Sequence, residues 1–143
     1  MADQLTCEAK WTGKYHFEGK AEFDHPVPID YMPPLGDGLG HKPMELLLMS
    51  LASCSGQTTV SLMQKMRQDV RGFEVRAVGQ KRENEEHPKV FTAIHLEFRV
   101  TGPGLDPAVV EKAIKMSEDK YCPVWAMLKG SVAVTSSFVI EKE

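Results

Sequence analysis

No stretch of the 143 residues reaches the roughly 18 uninterrupted apolar positions that a bilayer span requires, so no membrane partner is expected. The opening Met1-Ala2-Asp3-Gln4 carries an acid and no basic cluster, which speaks against a secretory signal and makes the cytoplasm the expected location. Cysteine is scarce: Cys7, Cys54 and Cys122 are the three in the chain, and no two are spaced C-x2-C. The five histidines, His16, His25, His41, His87 and His95, have no ligand spacing to them, so no metal site is expected. In a reducing compartment such cysteines are reactive or buried rather than structurally bridged. Walker A, G-x-G-x-x-G and G-x-S-x-G patterns are absent, and no cofactor is expected. The formal net charge of −3, with scattered basic residues, argues against nucleic acid as a partner. Arginine is missing from the whole N-terminal part, the first being Arg67.

The residues present describe an ordinary globular chain, 42% hydrophobic and 26% charged, and the length predicts a single domain over 1–143. Leu5, Cys7, Ala9 and Trp11 alternate with polar neighbours, which predicts a half-buried first strand with Cys7 facing inward. Gly13-Lys14 offers a turn into a second strand within Tyr15 to Phe23. Pro26 and Pro28 confine the following Val27-Ile29 stretch to a sheet edge. Asp30 to Lys42 holds Pro33, Pro34, Gly36, Gly38 and Gly40 and reads as a loop. No strand leads into its G-x-G-x-G, which disfavours a phosphate cradle.

Pro43 opens the longest apolar-periodic run, at the helical position that tolerates proline. The spacing predicts a central helix over about 43–68, with Leu47, Leu51, Cys54, Leu62 and Met66 on its apolar face. Two alternating strands follow, Phe73 to Ala77 and Val90 to Val100, joined by the charged Lys81–Lys89 connection. Asp106-Pro107 predicts a helix start, Val124 to Leu128 a short helix, and Val132 to Ile140 a closing strand. The fold class is α+β, in the order βββαββααβ.

Chemistry falls on the thiols. Cys54 sits on the apolar face of the long helix, where taken alone a small core residue is the plainer reading. Cys122 directly precedes Pro123. As the N-cap of the short helix it would be favoured as a thiolate, although a buried structural thiol fits the same position. The eight methionines suit core filling or an adaptable apolar pocket.

Pro43-Met44-Glu45-Leu46-Leu47-Leu48 followed by Leu51-Ala52-Ser53-Cys54 resembles the central-helix motif of the OsmC/Ohr family. Ser117-Glu118-Asp119-Lys120-Tyr121-Cys122-Pro123-Val124 resembles its second cysteine motif, and the order of elements matches over nearly the whole chain. The branch called YhfA-like shares the Pro-Met-Glu-Leu-Leu-Leu form and the His87-Pro88-Lys89-Val90-Phe91 segment. The resemblance implies an OsmC-like fold and an intertwined homodimer with thiol sites at the subunit interface. It implies that Cys54 attacks an organic hydroperoxide and becomes a sulfenic acid, that Cys122 resolves it as a disulfide, and that a dithiol reductant restores the pair. Peroxidase members carry a glutamate directly after the motif proline, where this chain has Met44, and an arginine in the N-terminal strands. The resemblance therefore leaves Glu45 and Lys14, His16 or Lys20 as the candidates for supporting roles. The alternative reading is an OsmC-like dimer that binds a small apolar ligand or senses redox state with little peroxidase activity; a purely structural dimer is a third.

Overall fold

A computed structural model describes residues 3–142. Its element order is β1 (Glu8–Gly13), β2 (His16–Lys20), β3 (Val27–Ile29), α1 (Pro43–Lys65), β4 (Gly72–Lys81), β5 (Phe91–Thr101), α2 (Pro107–Met116), a π-helical turn (Ser117–Tyr121), α3 (Pro123–Leu128) and β6 (Ala133–Glu141). This is the expected α+β order, with the π turn added. The chain divides into two compact units, Met1–Leu47 and Leu48–Glu143.

The first unit is an antiparallel meander in the order β1-β2-β3, which puts the proline-bearing β3 at an edge as the sequence required. Gly13 and Lys14 turn the chain with φ of 126° and 46°. The expected half-buried first strand is not what the structure shows. Cys7 lies just before β1 and is exposed, and Trp11 is 63% exposed. The loop from Asp30 to Lys42 is folded around one carboxylate. Asp30 is buried and accepts the backbone N–H groups of Tyr31, Asp37 and Leu39 at 2.7, 3.0 and 3.0 Å. Each glycine of this loop has its own local cause. A Cβ on Gly36 would strike the Asp30 carboxylate and the Tyr31 carbonyl, one on Gly40 would strike the Pro28 carbonyl, and Gly38 has φ +67°.

The second unit carries the core. β5 is central in the sheet β4-β5-β6, antiparallel to β4 and parallel to β6. Parallel neighbours need a long crossover, which α2, the π turn and α3 supply. Ile94, Leu96, Phe98 and Val100 of β5 are buried, and Phe98 meets Phe73 of β4 edge-on at 6.0 Å between ring centroids. Asp106 caps α2 as expected, its side chain accepting from the N–H of Ala108, with Pro107 in the first turn.

Helix α1 ends earlier than its periodicity predicts, at Lys65 rather than about 68. Arg67 adopts a left-handed φ of 64°, and two reversed hydrogen bonds, Gln68 N–H to the Met63 carbonyl and Arg67 N–H to the Gln64 carbonyl, close the end. The buried stripe of α1 also differs from the expected leucine face. It runs Leu51, Ser55, Thr59 and Met63, with Gly56 beside it, while Leu47 is exposed and Leu62 and Met66 are half-buried. A Cβ on Gly56 would lie 3.3 Å from Val75 and 3.7 Å from Phe73, so the helix approaches β4 too closely for large side chains at that point. By length and hydropathy α1 could cross a membrane. Its buried stripe is instead seated on the sheet.

Candidate functional site

About seventy residues separate Cys54 from Cys122 in the sequence, and the fold of the second unit brings their segments together: Ser117 reaches the carbonyl of Ser55, and Cys54 lies near enough to help raise the Cys122 pKa. Cys54 lies near the middle of α1 and is half-buried. The hydroxyls around it are turned back on the helix: Ser53 donates to the Met49 carbonyl at 2.8 Å, Ser55 to Ala52 at 3.2 Å, and Thr58 to the carbonyl of Cys54 itself at 2.8 Å. Those hydroxyls are thereby satisfied within the helix.

Cys122 is held from three sides. Its N–H donates to the Ser117 carbonyl at 2.9 Å, five residues back, which closes the π turn. The following Pro123 excludes helical backbone at Cys122, which takes φ −84° and ψ 107°. Its sulfur then accepts the N–H of Trp125 at 3.4 Å, so the thiol does cap α3. The expectation that this cap favours the thiolate is overturned. Burial raises the Cys122 pKa to about 11, above the ordinary 9.0; the N–H groups of Trp125 and Val124 pull the other way and are outweighed, and contact with Cys54 adds to the rise. The thiol is only 1% exposed, and α3 is six residues long, so its end field is small against the cost of burying a charge.

The other candidates are engaged elsewhere. Glu45 accepts the N–H of Lys42 at 2.8 Å, the reciprocal half of a capping box at the start of α1. Lys14 and His16 belong to the cluster that surrounds Asp30. Lys14 Nζ lies 2.8 Å from Asp37 Oδ1, and His16 Nε2 lies 2.8 Å from Asp37 Oδ2 and 3.3 Å from Asp30 Oδ2. The hydrogen bond from Lys14 leads the effects that hold the Asp37 carboxyl below its usual range, against burial. Burial is the largest influence on Asp30 and would raise its pKa, yet the three backbone donors and the charge of His16 together hold it low. Lys20 ends β2 opposite Glu8 on the exposed side of the first sheet.

Two features of the site were not anticipated from sequence. Ser117 is fully buried, and its Oγ reaches the carbonyl of Ser55, the neighbour of Cys54, at 3.5 Å. Trp125, also fully buried, supplies the N–H that meets the Cys122 sulfur. The Cys-Pro pair carried a signal for Trp125, since a proline forces the preceding residue out of the helix and opens a cap at the new start.

Residues 36–137 match the family described as OsmC-like protein. Over 139 residues the chain is 38% identical to protein YhfA of Escherichia coli strain K12, covering 95% of this chain and 98% of that protein. A solved hypothetical protein from Aquifex aeolicus VF5 is similar at 30% identity and a TM-score of 0.87, with 99% of each chain covered. An organic hydroperoxide resistance protein from Elizabethkingia anophelis shares the fold at a TM-score of 0.73 and 15% identity, covering 97% of this chain and 99% of that one. The chain therefore belongs to the OsmC-like family.

Proposed function

We propose that the protein reduces organic hydroperoxides with Cys54 as the attacking thiol and Cys122 as the resolving thiol. The observation that carries this reading is that the fold joins the segments of two cysteines so distant in sequence, through the Ser117–Ser55 contact, with Cys54 near enough to help raise the Cys122 pKa. Burial holds Cys122 protonated near neutrality, which fits the second step, and Cys54, the more exposed of the two, suits the first meeting with the peroxide. The Cys54 thiolate attacks the outer peroxide oxygen, the O–O bond breaks, and an alcohol leaves with a proton. Cys54 is now a sulfenic acid. Cys122 attacks that sulfur, the S–O bond breaks, and the departing hydroxide takes the Cys122 proton as water. A dithiol reductant then reopens the disulfide by exchange and carries away two electrons.

The family also supports a homodimer. Trp11, Phe23, Met32 and Leu39 are each more than half exposed, and a second copy of the chain would cover apolar surface of that kind. Turnover of cumene hydroperoxide with dithiothreitol as reductant tests the reaction, and light scattering tests the dimer. Peroxide consumption that vanishes in Cys54→Ser supports the reading; equal consumption by that variant refutes it.

A second reading has its own support. The chain lacks an arginine before Arg67, Glu45 is occupied at the helix start, and Lys14 and His16 are held by carboxylates. A dimer that binds a small apolar ligand, or senses redox state slowly, needs none of these groups. Native mass spectrometry showing a retained ligand, without peroxide turnover, would favour it.

A further inference from the structure

We infer that Ser117 is a positioning residue that sets the spacing of the Cys54–Cys122 pair by tying the backbone beside one cysteine to the backbone of the other. The inference rests on the dithiol reading, since it concerns how readily those two sulfurs join.

Three observations converge on this side chain. Ser117 is fully buried, whereas its neighbours in the π turn, Glu118 to Tyr121, are not. Its hydroxyl reaches the carbonyl of Ser55 at 3.5 Å, and Ser55, fully buried on α1, is the next residue after Cys54. Its own carbonyl accepts the N–H of Cys122 at 2.9 Å. A single residue thus links Cys54, through Ser55, to Cys122. The chain reaches Ser117 already fixed, because its N–H donates to the Ala113 and Ile114 carbonyls at the end of α2.

Small size alone does not account for it. Close packing would be met by alanine, which fills nearly the same volume, and an alanine would form the same backbone bonds. Only the hydroxyl connects across to α1. In a buried site a hydroxyl without a partner is costly, so the side chain has reason to keep this contact. The bond is long, which makes its effect on geometry modest. Pairing two thiols is sensitive to small displacements, since the S–S bond accepts a narrow range of Cβ separation and torsion.

The test is the equilibrium of the dithiol with oxidised dithiothreitol, in which Cys54 and Cys122 lose two protons and two electrons to the reagent and gain an S–S bond. It requires no peroxide. In a Cys7→Ser background, which removes the exposed third thiol, Ser117→Ala is expected to shift this equilibrium about two-fold toward the reduced form, because a less closely held pair joins less readily and a long bond sits at the low end of hydrogen-bond effects. The same variant should unfold at nearly the parent temperature, and Ser117→Thr, which keeps the hydroxyl, should recover most of the equilibrium. An unchanged equilibrium in Ser117→Ala overturns the inference. So does a shift accompanied by a large loss of melting temperature that Ser117→Thr repeats, because that pattern belongs to packing. A parent that forms no Cys54–Cys122 disulfide in this reagent overturns both the positioning role and the dithiol chemistry. A parent that forms it but ignores cumene hydroperoxide leaves the positioning role standing and refutes the peroxidase reading alone.

Discussion

Asp30 and Cys122 are both buried ionisable groups, one in each unit of the chain, and they are driven to opposite states. Burial raises the pKa of each. Asp30 meets three backbone N–H donors and the charge of His16, which together overcome burial and keep it ionised. Cys122 meets two N–H donors, and a large sulfur accepts hydrogen bonds weakly, so burial prevails and the proton stays. Number and quality of donors decide the charge, and burial alone does not. The charged group then organises a loop, while the neutral one waits beside a second thiol.

The largest expected effect separates the roles within the thiol pair. Cys54→Ser should abolish peroxide consumption, whereas Cys122→Ser should consume one equivalent and stop at a sulfenate that dimedone traps. Trapping on Cys122 in a Cys54→Ser protein would reverse the assignment. Next in size is pH. If Cys122 attacks as its thiolate, closure of the disulfide should accelerate about tenfold per pH unit from neutrality until its pKa of about 11 is approached. A stopped-flow profile that is flat between pH 7 and 9 would mean that the buried thiol is not the slow partner.

A smaller effect, on stability, probes the other half of the comparison. Asp30 has a folded pKa below its unfolded value of 3.8, so its ionised form stabilises the fold above that pH. The contribution is lost as pH falls through the lower folded pKa. Asp30→Asn should therefore lower the melting temperature at pH 7 and flatten the decline of stability below pH 4. Calorimetry showing the same acid decline in parent and variant would remove Asp30 from the account. Gly36→Ala should act on the same loop, because its Cβ would displace the Asp30 carboxylate. Least affected should be Lys14→Ala. Its bond to Asp37 is half exposed, and such pairs contribute little, so its melting temperature should match the parent's within error.

How much of this was legible in the sequence depends on whether a single stretch of chain carried the signal. The alternation in β5, Asp106-Pro107 at the start of α2 and proline in β3 are local patterns, and the structure follows them. The buried stripe of α1 is not local. Periodicity favoured Leu47, Leu62 and Met66, but the helix approaches β4 at Gly56, where Ser55 and Thr59 fit and leucine would not. Cys7 and Trp11 alternate as an inward face should, yet both are exposed. The two cysteine motifs drew attention to Cys54 and Cys122, whose segments the fold brings together. The state of Cys122 stayed open because the helix cap is visible in a Cys-Pro pair, while the depth of burial that outweighs it arises only when distant segments pack. Ser117 was hidden for the same reason: its partner, the Ser55 carbonyl, lies in another helix.

The central claim is that Cys54 and Cys122 act as one redox pair, and counting thiols tests it most directly. The reduced protein is titrated before and after one equivalent of cumene hydroperoxide, with the surviving thiol located by alkylation and mass spectrometry. The account predicts that two of the three thiols disappear within minutes and that the survivor is Cys7. Retention of all three, or loss confined to the exposed Cys7, would contradict it.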